Sequence, residues 1–234
     1  MCENENSRQL IEQMNAYYDA RAPWHDQYMS YESSDRMEEL LAPVIDVLGG
    51  LVTDRNVLEL ACGTGNWTKV LAKRAAMVTA LDKSPRSLEI ARTKLAGYTN
   101  VFLVQGDAYA LEAVTDSYDV VFSADWWSHI PRDMVPSVLE STVRLSKPGS
   151  PVVFLDMLFR EAFTDEPSRY DSSGNRIFLR RLPDGSEYEV VKNFPDKAAL
   201  IRTLAPYAND IDYHEFAALE RWMVVYSPQV NQRE

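Results

Sequence analysis

The stretch Val57-Leu58-Glu59-Leu60-Ala61-Cys62-Gly63-Thr64-Gly65-Asn66-Trp67-Thr68 constrains what this chain can fold into more than any other segment. A short apolar run enters a turn with two glycines and leaves it in a helical pattern. Glycines at 63 and 65 lack the Cβ atoms that would hold a ligand away from the backbone. The helix N-terminus behind them offers free N–H donors. The alternation then repeats. Residues 77–81 read as a second buried strand ending on Asp82, and Ser84-Pro85 supplies an N-cap and a first-turn proline. Leu88, Ala91 and Leu95 follow at helical spacing. Further strands are predicted at 101–104, 119–123 and 152–156, with a helix over 131–145. Short apolar strands separated by helices predict a parallel sheet covered on both faces.

The two ends of the chain differ from this pattern. Residues 7–21 and 35–48 read as helices, the first ended by Pro23 and the second by Gly49-Gly50. Residues 176–182 and 186–194 flank Pro183-Asp184-Gly185 as a hairpin. A helix from about 196 and a closing antiparallel pair at 211–216 and 222–226 complete the reading. The domain organisation predicted is an N-terminal helical lid over 1–50 and a Rossmann-like domain over 51–234, with an insertion at about 158–194. A length of 234 residues suits one such domain.

Two ligand classes compete for the glycine turn. A dinucleotide site wants Gly-x-Gly-x-x-Gly, and Thr68 stands where its third glycine would be. It would also place a pyrophosphate near Glu59, and like charges in a partly dry site repel strongly. Glu59 instead suits a cationic ligand that carries a sulfonium and an α-ammonium. Asp82 ends the next strand, where a carboxylate accepts ribose hydroxyls. Asp107 and the Ala108 N–H follow the third strand, where they match an adenine edge.

These residues resemble the class I S-adenosylmethionine-dependent methyltransferases, in particular their small-molecule branch. Glu-x-Ala-Cys-Gly-Thr-Gly fits the family's Asp/Glu-x-Gly/Ala-x-Gly-x-Gly turn. Asp82, Asp107-Ala108 and Leu145-Ser146-Lys147-Pro148-Gly149 fall where the family has its ribose acid, its adenine acid and its turn before strand five. The resemblance spans about residues 14–157. It implies a doubly wound, mostly parallel seven-stranded sheet in a three-layer α/β sandwich with an antiparallel last strand pair. It implies S-adenosyl-L-methionine as cofactor and S-adenosyl-L-homocysteine as product. The implied cofactor-binding set is Tyr18, His25, Glu59, Ala61, Gly63, Gly65, Asp82, Lys83, Asp107, Ala108, Ser123 and Ala124. Tyr18 and His25 belong to a segment, Tyr18 to Asp26, that looks like the family's N-terminal lid; His25 stands where a Tyr is usual.

Methyl transfer from a sulfonium is an in-line displacement, for which the protein supplies alignment and water exclusion. Aromatic faces tolerate the sulfonium. The candidates are Tyr17, Trp24 and Tyr28 in the lid and Trp126 and Trp127 after strand four; adjacent tryptophans point apart, so at most one of these two is expected to line the pocket. His129 is the first candidate general base and Asp125 the second. His129 is alternatively a helix cap, Asp125 alternatively a ligand for an acceptor amine, and His214 is read as structural.

Composition narrows the partners. The formal charge is −11, of which residues 1–50 carry −7. No nucleic-acid partner is expected on that balance, and the acidic lid suggests a neutral or cationic small-molecule acceptor. Two cysteines and three histidines assemble no zinc cluster by spacing, so no metal is expected. The longest run without charge, 95–106, is too short for a bilayer. The polar, acidic start does not read as a signal peptide, and a cytoplasmic monomer or homodimer is expected. The rival functions are an NAD(P)-dependent oxidoreductase on the related fold and a module that binds the cofactor without turnover.

Overall fold

A computed structural model describes residues 5–29, 35–159 and 167–229, with the side chains of 28–38 excepted. The strands are β1 (Asn56–Leu60), β2 (Met77–Asp82), β3 (Val101–Gln105), β4 (Val120–Ala124), β5 (Val152–Met157), β6 (Arg169–Tyr170), β7 (Arg176–Arg181), β8 (Glu187–Val191), β9 (Ala208–Phe216) and β10 (Arg221–Pro228). The helices are α1 (Glu5–Arg21), α2 (His25–Met29), α3 (Asp35–Val52), α4 (Asn66–Ala72), α5 (Pro85–Lys94), α6 (Val135–Leu145) and α7 (Lys197–Leu204), with short 3₁₀ turns at Ala22–Trp24 and Trp127–His129.

Seven strands form one sheet in the order β3-β2-β1-β4-β5-β10-β9. The first five are parallel, and β10 runs antiparallel to both β5 and β9. Because side chains alternate across a strand, the central strands feed two cores. Leu58, Leu60, Val121 and Phe154 pack on one side with α1, α6 and α7. Val57, Val120, Phe122 and Val153 pack on the other with α3, α4 and α5. The strand order reverses between β1 and β4, which opens a crevice at their carboxyl ends.

Local sequence explains most element boundaries. Ser84 caps α5 by accepting from the Ser87 N–H at 3.0 Å, and Asp196 caps α7 by accepting from Ala199 N at 2.7 Å. One expected boundary is wrong. The helix read as closing at Gly49-Gly50 continues to Val52. Leu48 and Val52 are both buried at helical spacing, and this packing carries the helix across the glycines. A Cβ on Gly49 would lie 2.0 Å from the Arg74 guanidinium, so the glycine makes room for that side chain. Val44, Leu48 and Val52 also put α3 inside the second core. Among the described N-terminal residues, those of α1 and α2 stand over the crevice.

The insertion is a separate three-stranded antiparallel sheet, β6-β7-β8. α1 lies along its β8 edge, where the N–H of Glu189 donates to Gln13 Oε1 at 3.0 Å and that of Val191 to Met14 Sδ at 3.4 Å. His214 sits in β9, its ring 2.9 Å from Asp212.

Candidate active site

A cavity opens at the carboxyl ends of β1, β2, β3 and β4. It is lined by Glu59, Ala61, Cys62 and Gly63 from the first turn, Asp82 and Lys83 from the second strand end, Asp107, Ala108 and Tyr109 from the third, and Ala124, Asp125 and Trp126 from the fourth. The N-terminal helices cover it with Ile11, Met14, Asn15, Tyr18 and His25, and His129 stands at the same end. Both β1 and β4 leave through a left-handed residue, Ala61 (φ 55°) and Asp125 (φ 55°). Such strain collects where a site dictates the backbone path.

The two glycines of the turn have different jobs. Gly63 has φ +56°, and a Cβ on it would meet nothing within 4 Å. It leaves a cradle of open space at the cavity wall. Gly65 has φ +81°, and its Cβ would lie 2.9 Å from Leu95 Cδ1 and 3.2 Å from Ala91 Cβ. Its role is close packing of the turn on α5, not ligand approach. Asp82 braces the turn: its Oδ2 accepts from Gly63 N at 2.8 Å and its Oδ1 from Ser84 N at 2.8 Å. Burial raises its pKa, against the pull of those N–H groups.

Glu59 is 2% exposed, and its Oε2 accepts from Thr68 Oγ1 at 2.6 Å. Burial pushes its carboxyl up to about 8, against the Thr68 bond, with a smaller upward push from Asp82. A carboxyl held so far out of water keeps its proton near pH 7 and ionises when a cation is brought beside it. Asp107 accepts from Lys83 Nζ at 2.5 Å and from Tyr109 N at 2.9 Å.

The lid is fastened by its own acids. Asp26 accepts from Thr64 Oγ1 at 2.7 Å, Asn66 Nδ2 at 2.9 Å and Lys94 Nζ at 2.8 Å. Burial raises its pKa, but these three donors outweigh it and the net shift is downward. Asp19 accepts from Ser84 Oγ at 2.7 Å. His25 Nδ1 accepts from Arg21 Nη2 at 3.0 Å. Burial, then Arg21, lowers its pKa to about 4. The neutral ring therefore keeps its proton on Nε2 and offers an N–H donor, as a tyrosine hydroxyl would.

At the far end of the cavity, His129 Nδ1 lies 2.7 Å from the Val191 carbonyl. That contact makes Nδ1 the donor and leaves a lone pair on Nε2. The Tyr18 hydroxyl, 2.9 Å away, donates to it, and Lys192 Nζ lies 3.2 Å from the same nitrogen. Burial first, then Lys192, drives the His129 pKa well down, so the ring is neutral near pH 7.

Not every expected site residue reaches the cavity. Trp126 does, edge-on to Tyr109 at 5.3 Å, whereas Trp127 turns into the core against Phe154 and Trp222. Tyr17 is buried against Tyr188, and Trp24 is 40% exposed on the outer surface. Ser123 is buried and spends its hydroxyl on the Leu60 carbonyl at 3.0 Å. The side chain of Tyr28 lies outside the described residues. The sequence reading missed Ile11, Met14, Asn15, Asn66 and Tyr109 in the lining. It also missed the job of Thr68, taken only as an absent glycine. Among the described residues no cluster of His, Cys, Asp or Glu is placed to hold a metal.

The geometry has close parallels. Residues 57–149 match the family described as a methyltransferase domain. Two solved structures of DhpI, one with SAH and one with SAM and HEP, superpose with TM-scores of 0.77 and 0.75 at 28% identity. They cover 96% and 97% of this chain and 99% and 100% of theirs. Together these matches support a class I S-adenosylmethionine-dependent methyltransferase, with the methyltransferase domain matched over residues 57–149. A demethylmenaquinone methyltransferase of Staphylococcus aureus is 36% identical over 110 residues, 46% of this chain. The chain spans about 45% of the length of the curated relatives it matches. A Pyrococcus horikoshii protein with a TM-score of 0.68 at 20% identity shares the fold. The ligand held by the two DhpI structures is SAH or SAM. The cavity fits it: a buried acid for a cation, an open cradle at Gly63, and carboxylates at the second and third strand ends. No helix among the described residues is long and apolar enough to cross a membrane.

Proposed function

We propose that this chain transfers a methyl group from S-adenosylmethionine to a small-molecule acceptor in the covered end of the cavity. When bound, the cofactor supplies a methyl already activated on a sulfonium. The observation that carries the reading is the buried Glu59 carboxyl beside the open Gly63 cradle. A pyrophosphate there would meet that acid, whereas an α-ammonium is stabilised by it. Glu59, Asp82, Lys83, Asp107, Ala108, Ala124 and His25 form the cofactor wall in this reading. Gly63 and Ala61 give it backbone access.

Helices α1 and α2 act as the lid, with Asp26 and Asp19 as its latches onto the glycine turn and α5. Trp126, Tyr18 and Met14 exclude water from the acceptor end. His129 works as a neutral acceptor of hydrogen bonds that holds Tyr18. Its lowered pKa makes it a weak proton sink, so alignment outweighs base catalysis here. Asp125 is ion-paired with Arg221 at 3.2 Å and serves to position the β4 loop.

The test is transfer of label from methyl-labelled S-adenosylmethionine to a panel of small metabolites. We expect a labelled small molecule and stoichiometric S-adenosylhomocysteine. Cofactor binding with no labelled product from any acceptor would favour a binding module without turnover.

A further inference from the structure

The insertion sheet carries its charges unevenly. In the β7–β8 register Ile177 faces Val191, Phe178 faces Val190 and Arg180 faces Tyr188, and Lys192 N bonds the Arg176 carbonyl at 2.9 Å. One face therefore presents Arg176, Phe178, Arg180, Tyr188, Val190 and Lys192. The other presents Arg181, Glu187 and Glu189. All the acids of the two strands lie on that second face, where they are paired. Arg181 bonds Glu187, and Arg169 bonds Glu189 in bidentate fashion at 2.7 and 2.6 Å. The first face has three cations and no carboxylate of its own.

That first face meets the wall of the active site through Lys192. Tyr188 meets Tyr17 of α1 at 5.8 Å. Lys192 Nζ is 2.9 Å from Ser128 Oγ and 3.2 Å from His129 Nε2. Arg176 sits among the rings of Phe159, Phe178 and Phe194, its Cζ 5.3, 5.7 and 5.5 Å from their centroids, and Lys192 Nζ lies 5.7 Å from the same Phe194. Neither Arg176 nor Lys192 has a carboxylate within ion-pair distance among the described residues. Asp156 and Asp125 face Lys192 and attract it without a direct ion pair, and each also has other partners. Asp156 accepts from Ser128 N and Oγ at 2.7 and 3.1 Å, and Asp125 meets Arg221. The Arg176 Nε is buried with no hydrogen-bond partner. Aromatic faces attract a guanidinium but satisfy few of its directional N–H donors, and a buried donor left unmade is costly.

We propose that this face, led by Arg176 and Lys192, binds an oxyanion carried by the methyl acceptor, a carboxylate or a phosphate-type group. This deepens, and rests on, the methyl-transfer reading of the same cavity. It replaces the neutral or cationic acceptor suggested by the acidic N-terminal segment. The lid acids Asp19 and Asp26 spend their charge on Ser84, Thr64, Asn66 and Lys94, so they fasten the lid and do not select the acceptor. The aromatic wall on the same face suits an acceptor with a short apolar body next to the anion.

The test is calorimetric titration of the full chain with inorganic phosphate and, separately, acetate, each with and without saturating S-adenosylhomocysteine. We expect one saturable site, preferring one of the two anions and so identifying the source. Arg176→Gln and Lys192→Met should each weaken it by about tenfold or more with the affinity for S-adenosylhomocysteine unchanged. Arg181→Gln, on the opposite face, should leave it as it is. If Arg176→Gln does not fold, Lys192→Met carries the test. Absence of saturable anion binding in the wild-type protein overturns the proposal, as does equal weakening by Arg181→Gln. If the anion binds as described while S-adenosylhomocysteine does not, the anion site stands and the cofactor reading falls.

Discussion

Gly63→Arg is expected to abolish binding of S-adenosylhomocysteine while the protein stays folded. The backbone at Gly63 is left-handed, which costs a side chain about 1–2 kcal/mol, and a Cβ there meets no neighbour. The side chain would thus be housed by the cavity and would fill the cradle. Gly63→Ala carries the same backbone cost with little bulk, so it should retain measurable binding. Gly65→Val should do the opposite. It combines left-handed strain with a 2.9 Å approach to Leu95 Cδ1 and a 3.2 Å approach to Ala91 Cβ. Overpacking of this kind adds about 1–3 kcal/mol, so Gly65→Val should lower the melting temperature sharply. Thermal denaturation and titration of the three variants separate the two roles. Equal loss of stability in Gly63→Arg and Gly65→Val would show that the turn has no cradle.

The second large effect is a pH dependence set by Glu59. Its folded pKa of about 8 lies above the ordinary glutamate value of 4.5. In the empty protein at pH 7 the group is mostly protonated. A ligand with an α-ammonium favours the ionised form, so binding should release a proton. Affinity should rise by up to roughly tenfold per pH unit until pH passes about 8, then level off. Glu59→Gln should flatten this dependence and weaken binding by about 10- to 100-fold above pH 8, the worth of a charge-assisted hydrogen bond.

Stability runs the other way. A raised carboxyl pKa means the folded state binds more protons, so the contribution is full below pH 4.5 and is lost as pH rises through about 8. Glu59→Gln should match the wild type in acid and exceed it at alkaline pH. Calorimetry in buffers of different ionisation heats reads the released proton. Its absence at pH 7 would mean that Glu59 does not meet the ligand's charge.

What the sequence revealed, and what it hid, follows from the range of the interactions. The glycine turn, Asp82 and Asp107 are legible because each sits at a strand end fixed by its own neighbours. The seven-stranded sheet is what the family resemblance implies, and the β-α alternation and antiparallel close agree with it. Thr68 was invisible as a donor because its partner, Glu59, lies across a strand-turn-helix that must first fold. Trp126 and Trp127 show the limit of local reading: the alternation says that they diverge, and only the core formed by Phe154 and Trp222 decides which is buried. Lys192 and Arg176 escaped notice for a stronger reason. They belong to the hairpin insertion, and only its register and its docking against α1 and the Trp127–His129 turn bring Lys192 against His129 at the cavity wall, with Arg176 across Phe194 from it. The charge of the first 50 residues does not by itself select an acceptor, because net charge says nothing of which acids, such as Asp19 and Asp26, already have partners.

Titration of the unaltered protein with S-adenosylhomocysteine, alongside NADH, tests the central claim most directly. The buried acid at the end of β1 predicts one site for S-adenosylhomocysteine at micromolar concentration and no heat or fluorescence enhancement with NADH. Saturable NADH binding displaced by no adenosyl thioether, from a folded sample, would contradict it.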